Sequence, residues 1–129
     1  MNEEKTQIAD GVASVLNAEL DALLPLAAKA IGLKVQYSNN WGDYSIGEPY
    51  SKNEQRWNPL EFDKDAFCLL VELEMTIDFQ QDSVSVFSKL FDRFDIPPCI
   101  RHFGDDKKQN TRIAIVQCAA EIGKQTVSI

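Results

Sequence analysis

Residues 76–87, TIDFQQDSVSVF, decide the fold, because two short alternating runs flank a polar turn. Apolar and polar residues alternate in residues 76–79 and again in residues 83–87, a pattern typical of half-buried β-strands. The residues between them, 80–82, are Gln, Gln and Asp, which is a hairpin signal. The stretch therefore predicts an antiparallel β-hairpin.

A helix is predicted directly before this hairpin, and it opens with the NPLE sequence of residues 58–61. Asn58 is a good N-cap, proline is favoured at the first helical position, and a glutamate three residues after the cap completes a capping-box pattern. Asp63 is a second candidate for the cap. Residues 66–75 continue as a mostly apolar segment, whose final VELEM alternates and is also compatible with a strand.

One more strand and a helix are predicted after the hairpin. Residues 89–98 are irregular and end in two prolines, and residues 100–103 are expected to form a short strand. After a charged loop, the last helix is predicted to begin at Asn110 or Thr111 and to end at Gly123. Its inward face is predicted to consist of apolar residues: Ile113, Ile115, Val116, Ala119, Ala120 and Ile122.

The first part of the chain is predicted to be helical. Apolar residues recur at spacings of three and four over residues 8–31. Pro25 interrupts this pattern, because proline lacks an amide hydrogen and clashes with the preceding turn. We therefore expect two helices, over residues 3–23 and 25–31, or one kinked helix, with Gly32 as the stop.

Between these N-terminal helices and residue 58, the pattern changes to strands and turns. Residues 33–37 alternate and predict a half-buried strand, and residues 39–43 have the composition of a turn. Residues 44–46 predict a short second strand. Residues 47–56 are expected to be a polar loop.

The predicted order of elements is α-β-β-α-β-β-β-α. Because strands follow one another instead of alternating with helices, we expect an α/β protein of the α+β type, with a small antiparallel sheet covered by helices. A length of 129 residues predicts a single domain over residues 1–129. We divide it into a helical extension, residues 1–24, and an α+β core, residues 25–129. The apolar stripe of the extension favours self-association, so we expect a homo-oligomer.

Net charge limits the classes of function. The chain carries 20 acidic and 13 basic residues, a formal charge of -7, which argues against direct nucleic-acid binding. Residues 63–82 hold six acids and one base, whereas residues 101–129 hold five bases and three acids.

No apolar run reaches the roughly 18 residues of a membrane span. The acidic start MNEEKTQIAD lacks the pattern of a signal peptide. We expect no membrane partner and a cytoplasmic location.

The three cysteines, Cys68, Cys99 and Cys118, are far apart and have apolar neighbours in the sequence. We expect buried, reduced thiols without a disulfide. A zinc site needs close Cys and His pairs, and only Cys99 and His102 lie near each other in the sequence. No metal and no cofactor is therefore expected.

Aromatic and cationic residues outside the apolar pattern are the candidates for ligand binding. An exposed turn tryptophan suits an interface, and guanidinium groups suit phosphate. The candidate set is Trp41, Trp57, Asn58, Arg93, Arg101, His102 and Arg112. The same tryptophans are compatible with core packing or with a helix cap and staple, and the cations with an ordinary surface. His102 stands at no diagnostic spacing from a nucleophile or carboxylate, so we do not expect an enzyme.

The acidic run offers a second kind of site. Asp63, Asp65, Asp78 and Asp82 form either a solvated face or a surface that binds a partner protein. Their spacing is not that of an EF-hand, so cation binding is not expected.

Three segments carry a family resemblance: AAKAIGLKVQYS at residues 27–38, RWNPLEFDKDAFCLLVEL at 56–73 and RHFGDDKKQNTRIAIVQCAAEIGK at 101–124. Together they resemble a group of small phage- and prophage-encoded proteins of the α-β-α sandwich type. In that group a W-N-P-L segment opens a helix and an arginine-rich helix follows near the C-terminus. Here only Arg112 remains of three arginines in that helix, which weakens any phosphate-binding role that they have in relatives.

The resemblance implies a phage accessory protein that acts by non-covalent binding. One hypothesis is counter-defence through sequestration of a nucleotide immune signal. Another is an acidic inhibitor that binds a host defence protein as a nucleic-acid mimic or interface blocker. A nucleotide-processing enzyme is a third hypothesis, and it requires a metal cluster or a nucleophile–base pair that the sequence does not clearly offer.

Overall fold

The computed structural model describes residues 19–89 and 97–125. Its helices are α1 (Leu24–Ala30), α2 (Asp63–Glu72) and α3 (Lys107–Gln125). Its strands are β1 (Gln36–Ser38), β2 (Asp43–Ile46), β3 (Gln55–Arg56), β4 (Met75–Phe79), β5 (Ser83–Ser88) and β6 (Cys99–His102). These helices and antiparallel strands confirm the α+β class. Residues 1–18 lie outside the described part, so most of the expected helical extension and its role in self-association stay predictions.

The strands form two three-stranded antiparallel sheets, in the orders β1-β2-β3 and β4-β5-β6. The prediction of one sheet was therefore wrong, although the antiparallel pairing was right. The hairpin is confirmed, with Thr76 opposite Phe87 and Phe79 opposite Val84. Strand β3 pairs with β2 inside the stretch that we expected to be a loop. Its two residues, Gln55 and Arg56, are both polar and show no alternation that a sequence pattern reveals.

The core lies where the second sheet meets α1 and α3. Strand β5 buries every second residue, and its Val84 and Val86 are wholly inaccessible to solvent. Helix α1 contributes Leu24, Ala27 and Ala28, which are equally buried. The predicted inward face of α3 is confirmed, since all six of its apolar residues are buried. The periodicity of the last helix was thus a reliable guide to the core.

Gly123 lies inside α3, which continues to Gln125. The expectation that this glycine stops the helix was wrong. A Cβ atom at Gly123 would lie 1.9 Å from the carbonyl oxygen of Leu26 on α1. The glycine is needed because the backbones of the two helices touch at this point, and any side chain would force them apart.

The first-choice starts of both helices were wrong, whereas the second candidate for α2, Asp63, lies within one residue of the observed cap, Phe62. Helix α2 begins at Asp63, and the preceding NPLE residues form a turn in which the Asn58 side chain accepts a hydrogen bond from the Leu60 amide at 3.0 Å. Helix α3 begins at Lys107, because the Asp106 carboxylate accepts the Gln109 amide hydrogen at 2.9 Å as an N-cap does. Asn110 and Thr111, the predicted caps, therefore lie within α3.

The expected break near Pro25 is confirmed. Residues 22–23 form a turn, and Pro25 stands in the first turn of α1. Gly32 adopts φ +70° directly after this helix, which fits its predicted role as a stop. The next strand begins at Gln36, three residues later than predicted.

In the described part of the chain, no helix combines the length and the apolar character that crossing a membrane requires.

Candidate functional site

A surface groove of about 390 Å³ runs between α2 and the first turns of α3, and we call it the α2–α3 groove. Helix α2 and the end of β4 supply its apolar side, and α3 supplies its cations. The lining residues are Asp63, Ala66, Phe67, Leu70, Phe79, Lys107, Lys108, Thr111, Arg112 and Ile115.

Two phenyl rings of this groove are exposed to solvent. Phe67 on α2 is 64% exposed and Phe79 on β4 is 52% exposed. Phe79 lies against Phe103, with ring centroids 6.2 Å apart. The Lys107 ammonium lies 5.3 Å from the Phe79 centroid and 5.1 Å from that of Phe103. Such cation–π contacts hold the ammonium beside a ring that still presents surface to a ligand.

Helix α3 begins with two lysines, Lys107 and Lys108, and has no acidic residue in its first turn. The positive end of a helix dipole favours acids there and disfavours cations. Among the described residues, Lys108 has no ion-pair partner. These lysines oppose the local rule for helix stability, which favours an explanation in terms of binding.

Arg112 is held one turn further along α3. Its Nη1 lies 2.8 Å from an oxygen of Asp63, and its Nε donates a hydrogen bond to the Leu60 carbonyl at 2.9 Å. These contacts join α3 to the start of α2 and leave the side chain of Arg112 18% exposed. The guanidinium is thus fixed at one wall of the groove with part of its surface available.

Trp57 and Asn58 are structural in this molecule. Trp57 is 3% exposed and belongs to the core, so its indole offers no face to a ligand. Asn58 is 8% exposed. Its amide nitrogen Nδ2 donates to the Asp43 carboxylate at 3.1 Å, and its backbone N–H donates to Asp65 at 2.9 Å.

The other candidates do not line one site, although Arg101 and His102 are neighbours on β6. Trp41 is 46% exposed and lines a separate cavity of about 340 Å³ with Phe62 and Lys64. Arg101 donates from Nε to the Asn110 side chain at 2.7 Å. His102 is exposed on β6. Arg101 and His102 do not line the α2–α3 groove, whereas Arg112 does. Arg93 lies outside the described residues.

A polar cluster, which we call the Asp43 hub, consists of the buried residues Asp43, Asn58 and Asp65 and of Arg56, whose side chain is 34% exposed. The Asp43 carboxylate accepts hydrogen bonds from Arg56 Nε at 3.1 Å and from the Tyr44 backbone N–H at 2.8 Å, besides that from Asn58. Arg56 also pairs with Glu61 at 2.8 Å. The hub ties β2 and β3 to the turn that leads into α2.

Burial raises the pKa of the Asp65 carboxyl, which is only 7% exposed, although the hydrogen bond from Asn58 partly opposes this rise. The pKa of Asp21 is also raised, first by burial and then by the negative charge of Asp43. Of the four predicted partner-binding acids, Asp65 is therefore internal and Asp63 pairs with Arg112. Asp78 and Asp82 are exposed at the β4–β5 hairpin.

The sequence analysis missed Phe67, Phe79, Lys107 and Lys108 as groove residues. Phe67 and Phe79 were assigned to apolar patterns, and the paired lysines were placed in a loop. The available signal was the run DDKK at residues 105–108, where a cap is followed by cations in the first turn of a helix.

Metal chemistry finds no support among residues 19–89 and 97–125, which contain no group of three or more His, Cys, Asp or Glu side chains placed to hold an ion. The groove lining includes no Ser, Cys or His. The rings and cations of the groove suit a molecule that has an apolar, flat part and an anionic part.

No protein-family model matches the chain, and comparison with curated proteins and with solved structures gives no match.

Proposed function

We propose that the protein binds a nucleotide-type small molecule without chemical change, and that the α2–α3 groove is the binding site. The observation that carries this proposal is the combination of two exposed phenyl rings, Phe67 and Phe79, with the cations Lys107, Lys108 and Arg112 along one groove. Aromatic rings stack on bases, and ammonium and guanidinium groups hold phosphates.

The interaction free energies of the side chains and the volume of the groove are of the size expected for a small-molecule site. Stacking of a base on an aromatic side chain contributes about 1–3 kcal/mol. A hydrogen bond to a charged group contributes about 1.5–3 kcal/mol. A volume of about 390 Å³ falls in the range of roughly 300–1,000 Å³ that is usual for small-molecule sites.

The biological setting is part of the same proposal. In the phage context that the sequence resemblance implies, a protein of this kind acts in counter-defence by sequestering a nucleotide immune signal in the host cytoplasm. Sequestration requires binding and no turnover, which agrees with a groove lined by cations and rings.

The acidic inhibitor of a host defence protein is the second candidate. It is favoured by the two exposed acids of the hairpin, Asp78 and Asp82. It is weakened because Asp65 is buried in the Asp43 hub and Asp63 forms an ion pair with Arg112. The groove therefore supports small-molecule binding better than the acidic run supports protein binding.

The test is a thermal-shift screen of the full chain against cyclic and ADP-ribose-type nucleotides, followed by calorimetry. A ligand at 100 times its Kd should stabilise the fold by about 2.7 kcal/mol. Lys108→Ala and Phe67→Ala should each weaken binding at least several-fold. The matched controls are Lys29→Ala on α1 and Tyr50→Ala, which is 78% exposed outside the groove. If no nucleotide stabilises the protein, or if the controls lose as much affinity as the groove variants, the proposal fails.

A further inference from the structure

Two cysteines from distant parts of the chain meet between the second sheet and the last helix. Cys99 begins β6, and Cys118 lies in the middle of α3. Cys99 packs against the buried cluster that contains Cys118, and it lines a cavity together with Gln117 and Glu121, the neighbours of Cys118 on α3. The two thiols are thus close enough to interact. From the sequence we expected buried, reduced thiols without a disulfide, and the proximity of Cys99 and Cys118 is seen only in the fold.

The two thiols differ in access. Cys118 is 1% exposed, whereas Cys99 is half-buried. Cys99 lines a surface cavity of about 260 Å³ with Leu23, Ile100, Gln117 and Glu121, and Cys118 is not part of that lining. A small reagent that enters the cavity therefore meets the sulfur of Cys99 first.

The contact between the two thiols also shifts their pKa values in opposite directions. The contact with Cys118 lowers the pKa of Cys99, against the opposing effects of burial and of the Glu121 charge. The pKa of Cys118 is strongly raised by the same contact and by burial. The direction of these shifts agrees with the difference in access, since Cys99 lines the cavity and Cys118 is 1% exposed.

We propose that Cys99 is a peroxide-reactive thiol and that Cys118 is its resolving partner, so that hydrogen peroxide converts the pair into a disulfide between β6 and α3. In the first step the Cys99 thiolate attacks one oxygen of the peroxide, the O–O bond breaks, and the hydroxide that leaves takes up a proton to become water. Cys99 is then a sulfenic acid.

In the second step Cys118 attacks the sulfur of this sulfenic acid. The S–S bond forms, the S–O bond breaks, and hydroxide leaves with the proton of the Cys118 thiol as a second water. Both thiols have lost one electron each and the peroxide has gained two, so the reaction is balanced. This site is separate from the α2–α3 groove and does not rest on the proposed function.

The remaining cysteine supplies a matched control. Cys68 is a free thiol that is exposed on α2, which contradicts the expectation of a buried thiol. If solvent exposure alone determined which thiol is oxidised, Cys68 would react first. The proposal predicts instead that the less exposed pair reacts.

The test treats the reduced full chain with a small excess of hydrogen peroxide and counts free thiols after denaturation. The count should fall from three to one, with Cys68 still free. Trypsin should release a disulfide-linked pair of peptides, residues 94–101 and 113–124, that dithiothreitol separates. Cys68→Ser should still form this pair, and Cys99→Ser should not.

A second measurement traps the intermediate. In Cys118→Ala the resolving thiol is missing, so dimedone should label Cys99 after peroxide treatment. In the unmodified chain the same label should be at least several-fold weaker. Retention of all three thiols, oxidation of Cys68 in place of the pair, or linkage of two chains through Cys99 would each overturn the proposal.

Discussion

The Asp43 hub and the α2–α3 groove lie at two sides of α2 and use charged and aromatic residues in opposite ways. In the hub, carboxylate, guanidinium and amide groups are turned inward and pair with one another. In the groove, phenyl rings are turned outward and Lys108 has no ion-pair partner among the described residues. Across the described chain, every buried side-chain nitrogen or oxygen has a hydrogen-bond partner.

This difference shows which polar residues hold the fold and which are available to a ligand. A buried and fully paired group stabilises the fold, because an unpaired group there is costly. An exposed ring or a cation at the wrong end of a helix contributes little to stability, so its presence calls for another explanation. The comparison therefore predicts that hub variants lose stability and that groove variants lose binding.

The largest effect on stability is expected from Asp43→Ala. This change leaves Arg56 and Asn58 without their shared acceptor, and breaking a buried charge pair costs about 3–5 kcal/mol. Because the Arg56 side chain is 34% exposed, solvent screening reduces this cost, and we expect a loss of about 2–4 kcal/mol. Urea denaturation followed by circular dichroism measures the free energy of unfolding.

The control for that experiment is Glu61→Ala, which removes the exposed partner of the same arginine. Glu61 is 55% exposed, so the loss should be no more than about 1 kcal/mol. Equal losses in the two variants would show that the hub has no special role.

Asp65 gives the next largest effect and adds a dependence on pH. Asp65→Ala leaves the buried Asn58 amide hydrogen without its acceptor, which costs about 1–3 kcal/mol. Asp65→Asn keeps an acceptor and removes the charge whose burial raises the pKa of Asp65. At neutral pH the Asn variant should therefore be at least as stable as the unmodified chain.

The sign of the pH dependence follows from the raised pKa. The folded chain holds the Asp65 proton at pH values where the unfolded chain, with an ordinary aspartate pKa of about 3.9, has released it. Stability from this residue is therefore present in acid and is lost as pH rises through the folded pKa. The advantage of Asp65→Asn should vanish in acid, and an advantage that grew in acid would contradict the assignment. Urea titrations of the unmodified chain and of Asp65→Asn at several pH values measure this difference in stability.

In the groove, Lys108→Ala should separate binding from stability. Loss of one phosphate contact should weaken nucleotide binding about tenfold, equivalent to about 1.4 kcal/mol. Removal of a cation from the positive end of α3 should raise stability by about 0.3–1 kcal/mol. Calorimetry measures the expected loss of affinity, and urea denaturation of the same sample measures the expected gain in the free energy of unfolding. A loss of stability would instead show that Lys108 stabilises the fold, as the hub residues do.

The smallest effect is expected from charge reversal of the hairpin acids, Asp78→Lys and Asp82→Lys. Both residues are exposed, so stability should change by less than about 0.5 kcal/mol, and nucleotide binding should not fall. If these changes strongly slow association with a basic host protein, and if the rate depends on salt, the result would favour the acidic-inhibitor hypothesis over nucleotide binding in the groove. Stopped-flow or surface binding at two salt concentrations measures the rate.

The sequence was most informative where one periodicity extended over many residues. The β4–β5 hairpin and the buried face of α3 both followed from such patterns. Helix starts were less predictable, because Asn58 and Asp106 are both good caps and only tertiary contacts select between a turn and a helix. Gly123 was predicted to end the helix because the local sequence does not show that the Leu26 backbone of α1 packs directly against it.

The candidate site was harder to predict than the fold. Arg112 was identified from its chemistry and does line the groove. Phe67 and Phe79 were hidden in apolar patterns, since a pattern of period two or 3.6 does not tell which apolar residue stays exposed. Trp57 and Asn58 looked functional because buried polar networks and binding sites draw on the same residue types.

The two tryptophans of this chain, Trp41 and Trp57, lie in opposite environments: Trp57 is 3% exposed and Trp41 is 46% exposed. The chain therefore contains two optical reporters that can be read separately. Trp57 should emit at shorter wavelength and shift to the red only when the core opens, while acrylamide should quench Trp41 in the folded protein. Neither indole lines the α2–α3 groove. Trp41→Phe therefore leaves Trp57 as a reporter of global unfolding, and Trp57→Phe leaves Trp41 as a reporter of a change at the β1–β2 turn.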